Sequence, residues 1–185
     1  VSVSPPFTPE RFIEAIDMCE DYGCDVIIID SLSHAWEGSG GILEIHGNMP
    51  GNSFANWSRV MPRHNALIQT FMHSSAHIIA TLRAKQDYII HDRNGRMSPE
   101  KVGLKPVQKE GIDYEFTLAL ELDMHHKAKA SKDRTGLFMD KDPFLITPET
   151  GKKLADWCKK PEHISNVIQQ ISNTYKHSLN GNSNY

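Results

Sequence analysis

The sequence predicts an α/β protein built around a mostly parallel sheet flanked by helices, with antiparallel strands toward the C-terminus. Residues 26–29 are four consecutive β-branched apolar residues, Val26-Ile27-Ile28-Ile29, and they end in Asp30. A short apolar run of this kind reads as a strand buried on both faces, as in a parallel sheet. Residues 77–82 form a second run of the same character, and a long segment with helical spacing separates the two. From residue 114 onward the pattern changes to alternation, the signature of strands with one buried face. An acid at the carboxyl end of a parallel strand stands where open α/β sheets bind ligands.

The elements follow in order. Thr8-Pro9-Glu10 opens a helix, with Thr8 as N-cap and Pro9 at the first helical position. Phe12, Ile13, Ile16 and Cys19 carry its apolar stripe, and Tyr22-Gly23 ends it. After the first strand comes a glycine-rich stretch, Gly38, Gly40, Gly41, Gly47 and Gly51, which reads as a long loop with a functional or mobile character. Asn52 or Ser53 then caps a long helix bearing Trp57, Val60, Met61, Leu67, Ile68, Phe71 and Met72, with Pro62 expected to kink or restart it. Residues 87–91 suit a strand, and Asn94-Gly95 signals a hairpin turn. Residues 114–122 alternate and predict a strand, as do residues 126–130, with a turn over 131–136. Thr147-Pro148-Glu149 starts a last helix through Trp157. Residues 1–160 read as one core, and the polar residues 161–185 as a partly disordered tail.

Composition narrows the function classes. The chain has 185 residues, 39% of them hydrophobic, which suffices for one core. The net charge of -3 excludes a whole-surface grip on nucleic acid, so any such contact must be a local patch. Cys19, Cys24 and Cys158 have no metal-ligand spacing and read as reduced thiols of a cytoplasmic protein. No apolar run approaches the ~18 residues of a membrane helix. There is no signal peptide, and the opening residue, Val1, predicts a fragment of a longer protein.

Five phrases carry a family resemblance: residues 26–31, Ala80-Thr81-Leu82-Arg83-Ala84-Lys85, residues 101–108, Tyr114-Glu115-Phe116, and Lys132-Asp133-Arg134-Thr135-Gly136. In this order they resemble the RecA-like P-loop ATPase core, and most closely the phage AAA-family ATPases associated with recombination and single-strand annealing. The resemblance covers roughly residues 8–157. It departs at the front, because no G-x-x-x-x-G-K-[ST] phosphate cradle occurs in these residues. The run from Gly38 to Gly41 follows the acidic strand and has no Gly-Lys-Ser/Thr ending, so it cannot substitute.

The resemblance implies roles for particular residues. Asp30 takes the Walker B position, holding Mg through water beside ATP, with Ser31 in support. Without the resemblance, Asp30 reads first as an acid capping the next turn. Arg83 falls where a sensor of the γ-phosphate is expected, with Thr81 a weaker choice; otherwise it is a surface arginine paired with Asp87. Lys132 and Arg134 match a Lys-x-Arg finger inserted into a neighbouring subunit of a ring or filament of identical chains, to which Lys129 could add. Their bland alternative is an exposed basic turn. Two segments could meet single-stranded DNA: residues 37–57, with His46, Asn48 and Asn52, and residues 85–109, with Tyr88 for stacking and Arg93, Arg96, Lys101 and Lys105 for phosphates. Asp87, Asp92, Glu100 and Glu110 dilute the second. His73, His77, His125 and His126 lack a zinc-site context, and Trp36, Trp57 and Trp157 read as core or interface residues.

Overall fold

The computed structural model describes residues 1–93 and 96–159, and for residues 88–102 it describes the backbone pairing alone. The predicted turn at Asn94-Gly95 and the tail 161–185 lie outside the described residues, as do the side chains of Tyr88, Arg93, Arg96 and Lys101. The chain divides into two compact units, Val1–Glu115 and Phe116–Tyr185.

The first unit opens with helix α1, Pro9–Asp21, which starts after Thr8 and ends at Tyr22 as the sequence predicts. Its stripe buries Phe12 and Ile16. Arg63 of helix α4 (Ser53–His73) grips Glu10 of α1 through two hydrogen bonds of 2.6 and 2.7 Å. Asn52 caps α4, its side chain accepting from the amides of Phe54 and Ala55, and the helix runs through Pro62 as one element. Its buried face presents Val60, His64, Leu67 and Ile68.

Strands β1 (Val26–Ile29) and β2 (His77–Ala80) pair in parallel, with Ile27 opposite Ile78 and Ile29 opposite Ala80. Burial of β1 differs from the prediction. Ile27 and Ile29 are each 8% exposed, but Val26 is 48% and Ile28 67% exposed, and Ile79 of β2 is 52% exposed. A run of β-branched residues specifies a strand but cannot say whether a second layer covers it.

The glycine-rich stretch is not an open loop. It starts at the C-cap of a short helix, α2 (Ser33–Glu37), and contains a second, α3 (Ile42–Gly47); Ala35 of the first and Ile42 of the second are completely buried. Gly38, Gly40 and Gly41 serve internal packing. Gly40 has φ +77, and a Cβ there would stand 2.4 Å from Pro6 Cβ. The Phe7 amide donates to the Ser39 carbonyl at 2.6 Å, closing the N-terminal segment onto this corner. The sequence signal, glycine between two strands, was therefore one of close approach.

Strands β3 (Ala84–Arg93) and β4 (Arg96–Pro106) form an antiparallel hairpin with a bulge at Asp87/Tyr88, longer than the strand predicted over 87–91. A 3₁₀ turn, Ile112–Glu115, follows. In the second unit, β5 (Leu118–Leu122), β6 (Lys127–Asp133) and β7 (Phe144–Leu145) form an antiparallel sheet in the order β5-β6-β7. The alternation from residue 114 thus predicts a strand where residues 112–115 form the 3₁₀ turn. The turn expected over 131–136 begins only after Asp133. Helix α5, Pro148–Cys158, starts with reciprocal hydrogen bonding between Thr147 and Thr150. Ala128, Ala130 and Phe138 are buried, and Phe138 stacks on Phe144 at 5.3 Å. Among the described residues, parallel pairing is confined to β1 and β2, so the sheet is less parallel than the sequence suggests.

Candidate functional site

The ends of β1 and β2 are zipped together. The Thr81 amide donates to the Ile29 carbonyl at 3.0 Å, and the Leu32 amide returns a bond to the Thr81 carbonyl at 3.0 Å. Between them stands Asp30, exposed, with Oδ1 accepting from the Thr81 hydroxyl at 2.7 Å. The Asp30–Ser31 peptide bond is cis. Ser31 is 7% exposed and its hydroxyl lies 3.2 Å from His34 Nδ1, which is also 3.1 Å from the Ser31 carbonyl. Ser33, fully buried, accepts from the Arg83 amide at 2.9 Å.

Arg83 therefore sits within the reach of the same turn. Its guanidinium pairs with Glu37 at 2.9 Å, where the sequence spacing offered Asp87. Thr81, the weaker sensor candidate, donates its hydroxyl to Asp30. Sequence reasoning also missed Gln108. It is 6% exposed, donates to the Leu32 carbonyl at 3.2 Å, and lies 3.1 Å from His64 Nε2. A polar residue just after a strand gave no signal for this.

Next to the site runs an aromatic ladder. His46 stacks on Trp57 at 3.9 Å, Trp57 on Trp36 at 6.1 Å, and Trp36 meets His64 edge-on at 5.4 Å. Both tryptophans are half-buried, and this packing accounts for them.

The donor set suits one kind of metal. An exposed carboxylate with a hydroxyl beside it offers hard oxygen ligands. Among the described residues no three His, Cys, Asp or Glu side chains gather as a metal cage. A single acid with room for water and phosphate oxygens is how Mg is usually held, and zinc is not. These residues fit the metal corner of a nucleotide site. The corner that would cradle the phosphates has no counterpart among them, since Gly40 and its neighbours face Pro6 and the His34 carbonyl.

In the second unit, Lys132 lies on β6 opposite Ala119, and the Arg134 amide donates to the Thr117 carbonyl at 2.9 Å. Between the two, Asp133 organises the following loop. Its Oδ1 accepts from the Thr135 amide at 2.7 Å and from the Thr135 hydroxyl; its Oδ2 accepts from the amides of Phe138 and Met139 at 2.7 and 3.0 Å. Burial of this carboxyl opposes its ionisation, but those hydrogen bonds outweigh it and hold the pKa below the ordinary value of 3.8. Lys105, near the foot of the hairpin, approaches Glu110 at 3.6 Å on the surface.

A family model described as an AAA domain matches residues 6–171. The chain belongs to the AAA domain family. The AAA domain is a nucleotide-binding ATPase module of the P-loop type, generally working with Mg, and the mixed α/β architecture with Asp30 at a strand end agrees with it. A comparison with curated proteins and one with solved structures gave no match. No helix among the described residues is long and apolar enough to cross a membrane.

Proposed function

We propose that this AAA domain is the RecA-like core of an ATP-hydrolysing protein that acts on single-stranded DNA in phage-type recombination or annealing. Residues 1–160 form that core. Asp30, supported by Ser31, holds Mg through water beside ATP. Arg83 senses the γ-phosphate, and Lys132 and Arg134 reach into the site of a neighbouring copy in a ring or filament. Tyr88, Arg93, Arg96, Lys101 and Lys105 of the hairpin meet the DNA. The observation that carries this reading is the Asp30–Thr81 hydrogen bond of 2.7 Å at the paired ends of two parallel strands, with Arg83 at the root of a hairpin rising from the same place.

The phosphate cradle of this reading comes from a segment outside these residues. The apolar face of β1 and β2, with Val26, Ile28 and Ile79 in the open, supports it, because a parallel pair is ordinarily covered on both faces. Calorimetry with Mg-ATP tests the proposal, using residues 1–185 and the same chain extended upstream. Weak or no binding by the first and tight, Mg-dependent binding by the second is expected. Tight binding by residues 1–185 alone, or none by either, overturns it. A second reading, an interaction module that packs into an assembly without hydrolysing ATP, is favoured by the missing Gly-Lys-Ser/Thr motif. It predicts no binding by either form.

A further inference from the structure

Both legs of the β3–β4 hairpin are anchored on the turn that follows Asp30. On the first leg, the Arg83 amide donates to Ser33 Oγ at 2.9 Å and the guanidinium pairs with Glu37. On the second, Gln108 Nε2 donates to the Leu32 carbonyl at 3.2 Å, while Oε1 accepts from the Lys109 amide at 2.8 Å. The Val107 amide donates to the Arg83 carbonyl at 2.7 Å and clasps the legs together.

The orientation of the Gln108 amide follows from its partners. The Lys109 N–H can only donate and the Leu32 carbonyl can only accept, so the oxygen and nitrogen of Gln108 cannot be exchanged. His64 Nε2, 3.1 Å from that oxygen, must then carry a proton. The ring is 2% exposed, and burial pushes its pKa down, against the hydrogen bond to Gln108. Its Nδ1 has no hydrogen-bond partner among the described residues. Trp36 stands against the ring, and the charged groups near it, Lys109, Glu110 and Glu115, line the cavity of about 190 Å³ that His64 borders. Gln108 is thus fixed from one side by α4 and spends its only donor group on the turn beside Asp30.

We propose that Gln108 is a positioning residue for Asp30: gripped by His64, it holds the Leu32 carbonyl and so the turn that aims the carboxylate. A load on the second leg of the hairpin then reaches the acid by a route separate from Arg83. The proposal rests on the reading of Asp30 as a metal-holding acid.

Hydrogen exchange and imidazole nitrogen NMR on the 185-residue chain test it with two variants. Gln108→Met keeps length and volume but removes every tie. Gln108→Glu keeps an oxygen toward His64 and Lys109 and sets an acceptor against the Leu32 carbonyl. In both, the amides of Leu32, His34 and Ala35 should exchange at least tenfold faster while those of α1 keep their protection. His64 should keep its Nε2 proton in Gln108→Glu and lose the fixed tautomer in Gln108→Met. A residue that merely fills space predicts Gln108→Met close to wild type. Unchanged protection at those three amides in Gln108→Met, or an equal loss throughout α1 and α4, overturns the proposal. Mn²⁺ with ATP, added to the upstream-extended protein as a paramagnetic probe, forms a separate arm. It should broaden the signals of residues 30–33 in the wild type and less so in Gln108→Met. No broadening in the wild type overturns the metal reading, and the exchange result still decides the tie.

Discussion

Asp133 converts the end of a strand into an ordered loop, and it does so from between the two cations assigned to the finger. Four hydrogen bonds converge on its carboxylate. Bonds to a charged group contribute about 1.5–3 kcal/mol when a partner is lost, so Asp133→Asn should destabilise the chain by that order at pH 7. The sign with pH follows from the lowered pKa. The stabilisation is full above the ordinary aspartate value of 3.8 and is lost as the pH falls toward the folded-state value. Denaturant melts of both proteins across pH 2–7 would show the gap closing on the acid side; a gap that stays constant would refute the assignment. Glu10 behaves in the same direction. The Arg63 hydrogen bonds hold its pKa down, from 4.5 to about 2. Its side chain is 46% exposed, so solvent screening limits the pair to about 1 kcal/mol or less. Glu10→Gln should cost that much at neutral pH and nothing once the pH falls below about 2. These anchors were not legible in the sequence, because an acid that folds a loop and an acid on the surface look alike without the amides around them. The strand-end position of Asp30 was legible, because it closes an apolar run.

At the scale of elements, helix boundaries were read well where caps carried them. Thr8-Pro9, Asn52 and Thr147-Pro148 each mark a helix start that the structure reproduces. The misreadings share one cause: local pattern was taken for a solvent relation that only packing decides. Gly38 to Gly41 looked like part of a long functional or mobile loop, and it meets Pro6 and Phe7 at close quarters. The alternation from Tyr114 looked like strand, but the chain pairs only from Leu118. The hairpin β3–β4 gives the sharpest element-level test of the DNA reading. Each phosphate contact on a single strand contributes about -0.7 to the log–log salt slope. Replacing Arg93 and Arg96 by alanine should weaken binding to an oligo-dT strand and flatten the slope. Replacing Tyr88 should cost roughly 1–3 kcal/mol with the slope unchanged, since stacking is not ionic. Fluorescence anisotropy on the ATP-bound assembly would read both, and a double arginine variant with unaltered affinity and slope would remove DNA from this element.

For the whole molecule, the reading requires that one copy complete the site of another. Arg134→Ala in the upstream-extended protein should abolish most hydrolysis and leave ATP binding intact, because a finger cation acts on the transition state of its neighbour. Mixing this variant with Asp30→Asn should restore part of the activity, each mutant supplying what the other lacks. Turnover by a strictly monomeric form, unchanged by Arg134→Ala, would rule out shared sites. The most direct test of the whole account is Asp30 itself. Steady-state turnover and Mg-ATP affinity should be measured side by side in the extended protein and its Asp30→Asn variant. The account predicts a fall in turnover of about a hundredfold or more with affinity changed only a few-fold, because the acid acts through the metal. Turnover that survives the substitution would contradict it.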